Sequence, residues 1–248
     1  MSSREQLGRH PKRDDPRTLH LCNFRTAARP PIPPACRWDR AIRTWGTAGN
    51  DRYGNCVIAT AAHMRLVWRA NDSGITTPIS DAAIIELSRS MHALNGYNIL
   101  DRLKYWRNEG MWGDKLDIFA SVHPTNQDDI REAIAYFGSA DIGLNLPTAW
   151  EDAELWDIGQ GRHFEPGTWG GHSVNIVGFD ANRLYLVTWG RIQAMTWEAL
   201  PVYCDEAYAC IGPDWTKTNN RTPYGYDLDA LHAALATITR PPTNCETL

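Results

Sequence analysis

The chain has 248 residues, 43% of them apolar, and a formal net charge of −4. That is enough to bury one sizeable core with at most a small appendage, and the charge balance argues against nucleic acid or an anionic membrane as partner. No run of about 18 apolar residues exists to cross a membrane, and the polar stretch Met1 to Arg17 lacks the apolar segment of a secretory signal, so a cytoplasmic location is expected.

Taken in chain order, residues 1–37 read as a tail followed by an extended arm. The run Arg29-Pro-Pro-Ile-Pro-Pro34 removes backbone donors and fixes φ, which gives polyproline-like chain. The globular domain is expected over 38–248. Turn signals at Gly49-Asn50-Asp51 and Tyr53-Gly54-Asn55 precede a helix from Cys56 to about Ala70, whose first turns are small or apolar almost all round, as in a helix buried on most faces. Helices follow over 80–92, 99–109 and 126–137, the last capped by Thr125 or Asn126. Strands are expected over Leu116 to Val122 and Asp141 to Leu146. The C-terminal half then reads as strands at 173–177, 183–188, 193–196 and 207–211, with a hairpin turn at Asp180-Ala-Asn182 and a final amphipathic helix over Asp227 to Ile238. Helices first and an antiparallel sheet later give an α+β fold.

Six cysteines are present, without a C-x-x-C pair or a zinc-like spacing. Cys22, Cys36, Cys204, Cys210 and Cys245 read as ordinary thiols, reduced in a cytosolic chain. Cys56 differs because it opens a helix. Free N–H groups and the positive end of the helix dipole favour a thiolate there, and the same groups can hold a developing oxyanion.

A thiol nucleophile needs an imidazole within reach. His172 follows Gly170-Gly171, where small residues leave room for another group, and it opens a strand. His63 shares a face of the Cys56 helix but stands about 10.5 Å along its axis, too far for a hydrogen bond. His163 lies in a Gly-rich loop and stays open as an alternative. The paired acidic residues Asp128 and Asp129 read as helix N-terminal charges. Asp180 and Asn182 read as turn residues rather than metal ligands, and no metal or cofactor is expected. Most of the 11 Trp residues read as core.

Asn50-Asp-Arg-Tyr-Gly-Asn-Cys56 with its small-residue helix, Gly171-His172-Ser-Val-Asn-Ile-Val-Gly178-Phe179, and Leu186-Val-Thr-Trp189-Gly190 stand in an order that resembles the papain-like cysteine peptidases. More narrowly, Tyr105-Trp106-Arg107, Met195-Thr-Trp197 and Tyr203-Cys-Asp-Glu-Ala-Tyr208 resemble a group of papain-like proteins of actinobacteria and their phages. The resemblance implies a buried N-terminal helix carrying the cysteine, packed on a C-terminal antiparallel sheet carrying the histidine.

It further implies Cys56 as nucleophile, His172 as base and Asn50 as oxyanion donor, with Trp189, Gly171 and Asn55 against the substrate. The family's third residue, Asn or Asp, orients the imidazole. Val187 or Thr188 stands there, and only Thr188 can accept a hydrogen bond from an imidazole N–H. The long interval between Cys56 and His172 implies that 98–170 shapes the groove. The implied activity is hydrolysis of a peptide, protein or cell-wall amide, in the cytoplasm or, for a phage protein, on the virion or in the host. The alternative is a catalytically weak or silent binding module on the same fold.

Overall fold

The computed structural model describes residues 5–24, 29–215, 220–230 and 233. The strands are β1 (Leu19–His20), β2 (Cys36–Arg37), β3 (Ile118–Val122), β4 (Ala140–Leu146), β5 (Leu155–Trp156), β6 (Gly170–Phe179), β7 (Arg183–Thr188), β8 (Arg191–Thr196) and β9 (Cys204–Ile211). The helices are α1 (Cys56–Asp72), α2 (Asp81–Ser90), α3 (Ile99–Asn108), α4 (Gln127–Phe137) and the single turn α5 (Leu200–Tyr203). They form one sheet in the order β1-β3-β9-β4-β6-β7-β8-β5, with β2 alongside β6. The long strands pair antiparallel, and only the short edge pairs β1–β3 and β5–β8 run parallel.

Local chemistry sets the helix limits. Ser80 accepts from the Ala83 N–H, Asn98 from Asp101, and Asn126 from Asp128 and Asp129, each satisfying otherwise unpaired donors of a first turn. Gly138 ends α4 in the left-handed conformation at φ 82°.

Apolar residues on opposite faces of the sheet then choose the layers. Ile130, Ile134 and Phe137 of α4 bury against Ile142, Leu144, Val174, Ile176 and Leu186 on one face. On the other face α1 and α3 pack over Phe119, Tyr208 and Cys210, and Leu66, Val67 and Ala70 of α1 reach Val177 and Val187. Each such fully buried side chain contributes about 1.5–3 kcal/mol.

The seam between α1 and β6 is polar and closed. Thr60 Oγ1 donates to the Ser173 carbonyl at 2.8 Å, and the Asn175 amide donates to the Thr60 carbonyl at 2.6 Å. Behind it, Arg102 of α3 and Asp141 of β4 form an ion pair with both side chains fully buried.

Within the stretch read as tail and arm, Arg9 and Leu21 are buried. One sequence expectation changes. Cys22, read as a reduced thiol, is disulfide-bonded, while Cys36, Cys56, Cys204 and Cys210 are free. The helix expected over Asp227 to Ile238 falls largely outside the described residues.

Candidate active site

Cys56 is the first residue of α1. Asn55 precedes it but does not cap the helix. Its amide donates instead to the Ala48 carbonyl at 3.0 Å and the Ser88 hydroxyl at 3.2 Å. The start of α1 is therefore left without a side-chain acceptor, and the Val57 N–H helps to stabilise the sulfur as thiolate. Asn55 is fully buried in this role.

The Thr60–Ser173 bond fixes which part of β6 meets the helix start. Cys56 lies one turn before Thr60, about 6 Å along the axis, so it comes beside the residues at the start of β6. The Ser173 N–H also favours the Cys56 thiolate. His172 is the neighbour of that group. Its Nε2 is 2.7 Å from Thr188 Oγ1, and its Nδ1 is buried without a hydrogen bond.

Trp189 stacks on the imidazole with ring centroids 4.3 Å apart and planes at 13°. Trp189 and Gly190 form the two-residue loop between the paired residues Thr188 and Arg191, with φ of 44° and 78°. A loop this short needs positive φ at both positions, and a tryptophan there costs on the order of 1–3 kcal/mol. The strain is offset by the stack on His172 and by contacts with Trp169 and Trp156.

The front of the site is covered by the chain itself. Gly8 and Arg9 both donate their backbone N–H to the Gly171 carbonyl, at 3.2 and 3.0 Å. Tyr97 N–H donates to Gly8 and His10 N–H to Tyr97, each at 2.8 Å. The Gln6 carbonyl accepts from the Asn50 amide at 3.1 Å and from the Trp189 indole at 3.3 Å. A Cβ on Gly8 would lie 1.7 Å from the Gly54 carbonyl oxygen, so only glycine fits this approach.

Burial pushes the Cys56 thiol up to about 11, against the pull of the Ser173, Gly8 and Val57 N–H groups and the Arg9 charge. Burial, and then Arg9, hold the His172 imidazole down to about 3. The covered pair is accordingly a neutral thiol and a neutral imidazole, and no hydrogen bond joins them among the described residues.

His63, the competitor on α1, has its Nε2 3.2 Å from the Gly46 carbonyl and packs edge-on against Trp45. His163 lies against Phe164 in the loop before β6. Thus Asn50, Cys56, Gly171, His172, Thr188 and Trp189 gather at one place, and Asn55 stays behind them.

No known family profile matches the chain, and neither does any curated protein. Solved structures do match. Xylellain, a cysteine protease from Xylella fastidiosa, superposes with a TM-score of 0.64 over 84% of this chain and 96% of that one, at 14% identity. The fold is papain-like. ProCathepsin B S9 from Trypanosoma congolense gives 0.60 over 85% and 87%, at 12% identity. The Carica candamarcensis cysteine protease CMS1MS2 gives 0.55 over 73% and 99%, at 16% identity.

Sequence reasoning passed over the groups that fill this cleft: Gly8 and Arg9, and beneath them Asn145, Asp205 and Glu206. The adjacent acids of Tyr203-Cys-Asp-Glu-Ala-Tyr208 were visible as a pattern. Their partner lay in a stretch that reads as tail, so nothing local joined them.

Proposed function

We propose that this protein is a cysteine peptidase working through an acyl-enzyme on Cys56. The observation that carries the reading is an uncapped helix start bearing a thiol, set beside an imidazole whose Nε2 is held by Thr188 and whose Nδ1 is unused. The papain-like fold supports it.

In the reaction, Nε2–H donates to Thr188 and Nδ1 takes the thiol proton. The sulfur attacks the carbonyl carbon, forming the S–C bond. The oxyanion accepts from the Asn50 amide and the Cys56 N–H. The C–N bond then breaks as the imidazolium returns the proton to the leaving amine. Water, deprotonated by His172, cleaves the thioester and restores the thiol. Trp189 covers one face of the imidazole, and the Gly171 carbonyl pairs with the substrate backbone.

A peptide or protein is the substrate class we put first, with a cell-wall amide open to the same chemistry. The narrower motif likeness to proteins of actinobacteria and their phages would put such a peptidase in the bacterial cytoplasm, or on the virion or in the host for a phage protein.

The second reading is a silent binding module, favoured by the uncharged Thr188 where the family carries Asn or Asp. An unbiased peptide-mixture digestion decides between them, using the full chain with Gly8→Val to unseat the cover and Cys56→Ala as control. Cleavage products that vanish in the control support the peptidase. Identical digests with and without Cys56 support the binding module.

A further inference from the structure

Arg9 is the most heavily bound side chain of the covering segment. Its guanidinium is 1% exposed. Nη1 donates to Asp205 Oδ1 and Glu206 Oε1, both at 2.7 Å, and Nη2 donates to Asp205 Oδ2 at 3.0 Å and Asn145 Oδ1 at 2.7 Å. The Asp205 contact is two parallel bonds, the fork geometry that a guanidinium makes and an ammonium cannot.

The pocket is shaped before Arg9 enters it. Asp205 and Glu206 are consecutive on β9 and would ordinarily point to opposite faces of the sheet. The register of β4 on β9 shifts between Gly143 and Leu144: Gly143 pairs with Glu206 and Leu144 with Cys204, so Asp205 is the extra residue of a bulge. A bulge of this kind re-aims a side chain, and here it brings both carboxylates onto one cation.

The rest of the wall is equally specific. A Cβ on Gly143 would stand 2.6 Å from Arg9 Nη1 and 2.7 Å from the Glu206 side chain, so the floor is open only because position 143 is glycine. Asn145 donates to Asp205 Oδ2 at 2.9 Å, and the Tyr208 hydroxyl donates to Glu206 Oε2 at 3.1 Å, holding the acids in place. The segment carrying Arg9 is extended, paired by its backbone to Gly171 and Tyr97, and passes over Cys56.

We propose that the pocket of Asn145, Asp205 and Glu206 over Gly143 recognises the arginine side chain of a peptide substrate, and that Arg9 occupies it as an internal stand-in. This rests on the peptidase reading for its place beside Cys56. An incoming peptide displaces residues 6–10, takes over their backbone bonds to Gly171 and Tyr97, and puts its arginine where Arg9 now lies.

The test uses the full chain carrying Cys56→Ala with Gly8→Val, and in parallel Cys56→Ala with Arg9→Ala, which vacates the pocket without a steric clash. The probe is a fluorescein-labelled peptide copying residues 5–11, compared by anisotropy with versions carrying citrulline or lysine in place of arginine. The arginine peptide is expected to bind about tenfold or more tightly than either, the loss of one charge-assisted bidentate contact, and Asp205→Ala, which removes the forked acceptor, is expected to abolish that advantage.

Equal affinity for the arginine and citrulline peptides overturns the proposal. So does failure of every peptide to bind both variants, which makes Arg9 a structural tether. The two readings fail separately. Arginine-selective binding without turnover by the Cys56 protein leaves the pocket and removes the peptidase. Cys56-dependent cleavage indifferent to arginine does the reverse.

Discussion

The back and the front of this site are held by different chemistry. At the back, α1 meets β6 through Thr60, Ser173 and Asn175, flanked by Val57, Ile58, Ala61 and Met64, all fully buried. No water can replace those bonds without opening the core. At the front, residues 6–10 are held by backbone hydrogen bonds, by the Asn50 and Trp189 side chains, and by Arg9, whose ion pairs run to the buried Glu206 and to Asp205, the latter 35% exposed. Leu7 is only partly buried. A second extended peptide carrying an arginine can supply the same bonds. A fold whose local stabilities differ in this way keeps its catalytic frame while exchanging what lies in it.

The largest expected contrast is between two aspartates. Asp141→Ala, at the back, strands the fully buried Arg102 charge and is expected to cost about 3–5 kcal/mol in a urea titration. Asp205→Asn, at the front, alters a partly exposed acid and leaves Arg9 paired with Glu206, so it is expected to cost about 1 kcal/mol or less. Equal losses at the two positions would erase the distinction.

Reactivity is the next measure. Gly8→Val drives a side chain into the Gly54 carbonyl and unseats the cover. Iodoacetamide labelling of Cys56, followed by mass spectrometry, is expected to accelerate on the order of 100-fold. Cys36, whose thiol burial pushes up to about 12, serves as the internal reference. A Cys56 no faster than Cys36 in this variant would mean the helix start does not activate the sulfur.

These contrasts also separate what the sequence shows from what it hides. Helix starts were readable because capping and small-residue patterns are local: Asn126, one of two expected caps, closes the start of its helix, and Cys56 opens α1. His172 and Thr188 were readable through a resemblance in motif order, and they do meet. The Arg9 pocket was not readable. It depends on a one-residue register shift between β4 and β9, and no property of Asp205 or Glu206 alone specifies which residue bulges. The partners of Asn55 were hidden for a related reason. An asparagine beside a nucleophile looks available, but the return of residues 48 and 88 consumed its amide.

Acid should act on front and back to different extents. Burial lowers His63 from 6.5 to about 4, and His172 from 6.5 to about 3. The unfolded chain binds these protons first. Their stability contribution is therefore complete above about pH 6.5 and is lost as pH falls toward 4 and then 3. Urea midpoints should drop between pH 7.5 and 4.5. With Gly8→Val the cleft is hydrated and the His172 share shrinks, leaving His63, so the drop should be shallower. Parallel profiles would show that the covering segment does not control the environment of His172.

Among the changes in rate, the smallest is expected at Thr188. Thr188→Val keeps the shape and removes the oxygen that is hydrogen-bonded to His172 Nε2. A buried donor left without an acceptor costs about 1–3 kcal/mol. Because Thr188 is neutral, losing it removes orientation but no charge stabilisation of the imidazolium. The expected fall in kcat is therefore only about tenfold, against the much larger loss when a charged third residue is removed. KM should stay unchanged, since the role of Thr188 runs through the imidazole. Thr188→Ser, which restores the hydroxyl, should recover most of the rate. If valine and serine behave alike, the imidazole is held by the Trp189 stack and not by the hydrogen bond.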